Sequence, residues 1–122
     1  MRKNRTVLVV DDEPLVLRSI ATLLRASGFD VLTAPDGEGA VTICREHPGP
    51  IHVVVMDLIL GRGHGLDAVP HLCRVRPELS VLYVTGQPRE ALGAKFPAPI
   101  LFKPFTARQL TEAVSELTGL IL

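Results

Sequence analysis

The sequence predicts a doubly wound α/β domain: five parallel strands in the order 2-1-3-4-5, with a shortened or irregular fourth helix. Three observations carry this expectation. Five short apolar runs recur along the chain, rich in β-branched residues and free of polar alternation, as strands buried on both faces require. Helical stretches separate them, and strands alternating with helices argue for a parallel sheet covered on both sides. Acidic residues then stand at the ends of the first and third runs, the rim where open α/β sheets bind ligands.

Taken in order, MRKNR is a charged lead-in, and residues 1–5 read as a frayed end before the first strand, Val7–Val10. A first helix follows from about Pro14 to Ser27. Proline suits its first turn, Gly28 suits the position just past its end, and Val16, Leu17, Ile20, Leu23 and Leu24 form its apolar stripe. The second strand is Val31–Ala34, and the second helix starts after Asp36-Gly37 and stops by His47, before Pro48. The third strand, His52–Met56, delivers Asp57 at its carboxyl end; a glycine-rich bend through Gly61, Gly63 and Gly65 follows. The third helix begins near Gly65 and ends before Pro77, and the fourth strand is Val81–Val84. Between Gln87 and Pro99 three prolines and Gly93 leave only Arg89–Phe96 for a short or distorted helix. The fifth strand is Ile100–Phe102. Thr106 and Gln109 then form a capping box for a last helix, with Leu110, Val114, Leu117 and Ile121 on one face.

Bulk properties narrow the class. A chain of 122 residues with 47% hydrophobic content fits one domain, 1–122, burying roughly two-thirds of its unfolded surface. A net charge of zero gives no electrostatic footprint for nucleic acid, which usually needs a basic face. No apolar run approaches the roughly 20 residues that span a membrane, and no secretory signal is visible. Cys44 and Cys73 lack a CxxC or histidine partner at ligand spacing and read as buried reduced thiols, which favours a cytoplasmic location. His47, His52 and His71 have no acid or cysteine at ligand spacing, and His64 reads as a solvated loop side chain.

The chemistry gathers at one rim. Asp11, Asp12 and Glu13 would repel one another if buried alone, so they either cap the first helix or hold a divalent cation. Right-handed crossovers in the 2-1-3-4-5 order put strands one and three side by side, so Asp11 and Asp12 meet Asp57. Thr85 ends the fourth strand and Lys103 the fifth, at the same rim. Three acids, a hydroxyl and an ammonium suit phosphoryl chemistry. Asp57 would be the nucleophile, Mg²⁺ would screen the carboxylates, Lys103 would hold a phosphate oxygen and Thr85 would offer a movable donor.

These residues resemble the receiver domain of two-component response regulators. The likeness spans essentially the whole chain and rests on VLVVDDEP (Val7–Pro14), VVVMDL around Asp57, Gly65, VTG (Val84–Gly86) and KPF (Lys103–Phe105), in order. The resemblance implies a flavodoxin-like fold and a phosphoacceptor at Asp57, charged by a histidine kinase or a histidine phosphotransfer protein. It implies a Mg²⁺ site made by Asp11, Asp12, Asp57 and the backbone carbonyl of Ile59, with Thr85 and Lys103 as the switch hydroxyl and the lysine of the motif. It also implies a cis Lys103–Pro104 bond, a signalling domain rather than a turnover enzyme, and a monomer or weak dimer. Leu15 and Val16, beside the acids, are the expected docking surface for the phosphodonor.

Four departures qualify the match. Gly61 replaces a common proline, which predicts a mobile loop. Ile100 stands where a switch tyrosine or phenylalanine is common; Tyr83 shares Thr85's side of its strand and is either its substitute or core packing. The Thr85-to-Lys103 interval is short, in keeping with the curtailed fourth helix. Ile59 and Gln87 flank the phosphoryl position, and an apolar Ile59 cannot orient water, which predicts slow self-dephosphorylation. The loop and helix resemble those of receivers attached to hybrid histidine kinases, or of single-domain receivers. Two other readings remain: a pseudo-receiver that only binds partners, and an aspartate-nucleophile phosphohydrolase. The latter usually carries DxD on its first strand and a substrate cap, for which this chain has no room.

Overall fold

The computed structural model describes residues 5–60, 63–92 and 99–119. Strands β1 (Thr6–Val10), β2 (Asp30–Ala34), β3 (Val53–Asp57), β6 (Ser80–Thr85) and β7 (Ile100–Phe102) form one sheet in the order β2-β1-β3-β6-β7. Every neighbouring pair is parallel, with Val7 opposite Val31 and Val53, and Asp57 opposite Val84. With β6 and β7 counted as the fourth and fifth long strands, this is the predicted 2-1-3-4-5 order.

The period of two explains how runs without polar alternation build two cores. Leu8, Val10, Val54, Met56 and Tyr83 face helices α2 (Gly37–Glu46) and α3 (Gly65–Val75), meeting Ala40, Cys44 and Leu72. Val7, Val9, Val53, Val55, Leu82 and Val84 face α1 (Pro14–Ala26) and α4 (Ala107–Thr118), meeting Ile20, Leu24, Leu110 and Val114. At about 25 cal/mol per Å² of apolar surface buried, these two layers are the main stabilising term.

Helix ends follow their local signals. Gly28, at φ 96°, takes the left-handed conformation just past α1. Asp36 accepts the Gly39 N–H at 2.7 Å to start α2. Thr106 and Gln109 form the expected capping box on α4, at 3.0 and 2.8 Å. One tie was not visible in sequence. Arg76, just past α3, donates to the carbonyls of Cys44, His47 and Gly49 at 2.6–2.9 Å, tying down the end of α2 and the loop into β3.

The lead-in and the bend after Asp57 differ from expectation. The lead-in is already held at Arg5, whose carbonyl accepts the Asp30 N–H at 2.9 Å; residues 1–4 lie outside the described residues. The bend after Asp57 contains a short antiparallel hairpin, β4 (Ile59–Leu60) with β5 (Gly63–His64); Gly61 and the expected mobility there fall partly outside the described residues. The short fourth helix expected within Arg89–Phe96 is present as a 3₁₀ turn over its described part, Arg89–Leu92; the rest of that span lies outside the described residues, as does Ile121.

Candidate functional site

The rim of the sheet collects what the topology promised. Asp11 follows β1, Asp57 ends β3, Thr85 ends β6 and Lys103 follows β7. Asp11, Asp57 and Thr85 are 1%, 7% and 1% exposed, Asp12 is exposed, and the Lys103 side chain is 27% exposed. Carboxylate oxygens of Asp11, Asp12 and Asp57 lie within 4.8 Å of one another. The Lys103 ammonium stands 3.6 Å from Asp11 Oδ2 and 3.7 Å from Asp57 Oδ2. An open hollow above them is lined by Asp12, Glu13, Val16, Asp57, Thr85, Gly86, Gln87 and Lys103.

Asp11 answers both readings of the acidic run. Its Oδ1 accepts the Glu13 N–H at 2.9 Å, serving the entry to α1, where Glu13 at the N-cap makes no side-chain bond of its own. Its Oδ2 is buried and accepts no hydrogen bond among the described residues. The Lys103 ammonium, 3.6 Å away, is an ion-pair partner beyond hydrogen-bond length, so lone pairs of this buried carboxylate oxygen stay unfilled, a costly state. An oxygen in that state, beside two further carboxylates, fits a hard divalent cation. Asp11, Asp12 and Asp57 would hold it, with the Ile59 carbonyl as the expected further ligand.

The backbone around Asp57 is fixed by its neighbours. The Leu58 N–H donates to Val84 O at 3.0 Å and the Leu58 carbonyl accepts the Gly65 N–H at 2.6 Å. The hairpin thus folds back so closely that a Cβ on Gly65 would collide with the Asp57 carbonyl oxygen and sit 2.6 Å from Met56 Cγ. Gly65 was legible only as part of a motif; this contact is the reason for it. On β6, Thr85 Oγ1 accepts the Gln87 N–H at 3.1 Å and the Thr85 carbonyl accepts the Lys103 N–H at 2.7 Å. The Lys103–Pro104 bond is cis, as expected.

Other candidates settle as follows. Tyr83 is buried in the α2/α3 core, opposite Ile100, as the packing reading expects; burial pushes its hydroxyl above the ordinary value. Cys44 is a buried free thiol raised by the same cause, and Cys73 is half-buried and free. Leu15, 76% exposed, is the one large exposed apolar side chain among the described residues, next to Val16 at the hollow. His52 accepts the Thr6 N–H on Nδ1 at 3.0 Å, a structural role. Among the described residues no helix is long and apolar enough to cross a membrane.

Comparison with known proteins agrees with this fold. Residues 7–115 match the response regulator receiver domain family. The chain is 30% identical over 118 residues to the sensor kinase CckA of Brucella abortus, covering 93% of this chain and 12% of that protein. It is 30% identical over 119 residues to the alkaline phosphatase synthesis transcriptional regulatory protein PhoP of Bacillus subtilis, covering 93% and 48%. It therefore spans less than half the length of these relatives. Among solved structures, a response regulator receiver protein from Sinorhizobium medicae superposes with a TM-score of 0.80 at 28% identity, covering 96% of each chain. The receiver domain of the hybrid histidine kinase CckA superposes at 0.79 with 29% identity, covering 93% of this chain and 98% of that one.

Proposed function

The chain belongs to the response regulator receiver domain family of two-component systems, and we propose that it accepts a phosphoryl group from a phosphohistidine donor onto Asp57. One observation carries the reading: three carboxylates offer oxygens within 4.8 Å of one another, and an ammonium stands 3.6–3.7 Å from two of them. An Asp57 carboxylate oxygen forms the new bond to phosphorus. The donor's phosphorus–nitrogen bond breaks, and the electron pair returns to the imidazole, which takes up a proton. Lys103 draws a phosphoryl oxygen as a point charge, and Thr85 supplies a hydroxyl donor. Asp11, Asp12, Asp57 and the Ile59 carbonyl would hold Mg²⁺, which would supply positive charge against the charge gathering at phosphorus.

On this reading the chain is a signalling acceptor in the cytoplasm, with at most slow self-phosphorylation from small donors and slow self-dephosphorylation. Phosphate on Asp57 biases a two-state surface toward the form a partner binds. The donor, a histidine kinase or a histidine phosphotransfer protein, docks at Leu15 and Val16 beside the hollow.

The test is incubation with acetyl phosphate and Mg²⁺ followed by intact mass. The expected result is a gain of one phosphoryl group that is absent in Asp57→Asn. No gain in the wild type would point to a module that only binds partners, and rapid release of inorganic phosphate over many turnovers would point to a hydrolase.

A further inference from the structure

Arg89 is exposed, yet its guanidinium carbon lies 4.8 Å from the centre of the Phe102 ring, within reach for a cation over an aromatic face. The position of that ring matters. Phe102 stands opposite Thr85 in the β6–β7 ladder, and the next residue, Lys103, donates its N–H to the Thr85 carbonyl. On the other side of Thr85, the Gln87 N–H donates to Thr85 Oγ1. Pro88 then disfavours helical backbone at Gln87, and the chain reaches Arg89. The contacts close a ring through Thr85, Gln87, Arg89, Phe102 and Lys103.

A threonine hydroxyl has one hydrogen to give and two lone pairs to fill. With one lone pair taken by the Gln87 N–H, the hydrogen is left to donate, and Thr85 lines the hollow beside Asp57. The direction of that donor therefore depends on where the turn after β6 is held. Beyond Gln87, Arg89 over Phe102 is a contact that returns this turn to the sheet.

The geometry points to Arg89 and Phe102 as positioning residues for phosphoryl transfer to Asp57. Their stacking holds the turn over residues 86–89 against β7, keeps the Gln87 N–H on Thr85 Oγ1, and so presents the Thr85 hydroxyl hydrogen to the incoming phosphoryl oxygen. This role rests on the reading of Asp57 as the acceptor.

Two measurements test it. In the unphosphorylated protein, amide hydrogen exchange at Gln87, read by NMR, quickens about tenfold in Arg89→Ala and Phe102→Leu, returns toward the wild-type rate in Phe102→Tyr, and is unchanged in β1 and β3. Unchanged protection at Gln87 in Arg89→Ala overturns the proposal, whatever the chain's activity. With acetyl phosphate and Mg²⁺, Arg89→Ala lowers the maximal phosphorylation rate about three- to tenfold while half-saturating Mg²⁺ stays the same. That slowing disappears in a Thr85→Ala background. Equal slowing in both backgrounds means that Arg89 acts elsewhere and overturns the proposal. A wild type that takes no phosphoryl group sinks the acceptor reading, and this role with it. A wild type that is phosphorylated as fast as Arg89→Ala sinks the positioning role alone.

Discussion

Lys103 and Asp11 meet at the rim although their strands do not touch: β3 and β6 lie between β1 and β7, yet the ammonium nitrogen reaches to 3.6 Å from Asp11 Oδ2. The same nitrogen stands 3.7 Å from Asp57 Oδ2, so one cation serves two buried carboxylates. The arrangement is short of positive charge, which is the physical basis for both cation and phosphoryl binding.

Removing that ammonium leaves the two acids facing each other. Lys103→Ala is expected to lose about 1–2 kcal/mol of stability, below the full cost of breaking a buried pair because the side chain is partly solvated. Added Mg²⁺ recovers part of the loss by supplying the missing charge. Urea unfolding with and without Mg²⁺ checks both; a variant as stable as the wild type contradicts the electrostatic account.

Gly65 is where the chain after Asp57 passes against the backbone of Asp57 itself. Gly65→Ala puts a methyl group onto the Asp57 carbonyl oxygen and Met56 Cγ, and backbone cannot swing aside as a side-chain tip can. The expected cost is about 2 kcal/mol, with a lower phosphorylation rate because the nucleophile shifts. Denaturant midpoints and the rate of mass gain measure the two effects.

Ile59, two residues after the acceptor, brings no hydrogen-bonding group to an attacking water. Ile59→Asn is therefore expected to speed decay of the phosphoprotein about tenfold. The half-life after removal of the phosphodonor decides it, and an unchanged half-life rules the explanation out.

Burial raises the Cys44 thiol above its ordinary 9.0 and the Tyr83 hydroxyl above its ordinary 10.0. The unfolded chain loses these protons at lower pH than the folded one. Both groups thus contribute fully below their unfolded values, and stability falls as pH rises from about 9 upward through the raised folded values. Urea unfolding at pH 8 and pH 10.5 should show the drop, and Cys44→Ala should lessen it. A flat profile counts against the burial of both groups.

Much of this was legible because the signals are local. The two sides of each strand follow from a period of two, so Leu8 and Val9 were destined for opposite layers once β1 was recognised. The capping box at Thr106 and Gln109 involves residues three apart, and the sequence states it outright. The hairpin of Ile59–Leu60 with Gly63–His64 was hidden because its strands are two residues long, too short for any periodic signal. Arg76 reaches carbonyls 27 to 32 positions earlier in the chain, and carbonyls carry no sequence signature. The Arg89–Phe102 stack was equally silent.

The sequence by itself determined the five strands and the helices between them, since these are written in short-range patterns; the strand order came from the common doubly wound arrangement, and the family from motifs standing in order at the strand ends. Only the tertiary structure decided how the carboxylates share their charge. Asp11 gives one oxygen to the Glu13 N–H and leaves the other facing Lys103, 92 positions later in the numbering. Such a contact depends on where four strand ends converge and on which atoms are left without hydrogen, and no local pattern encodes either.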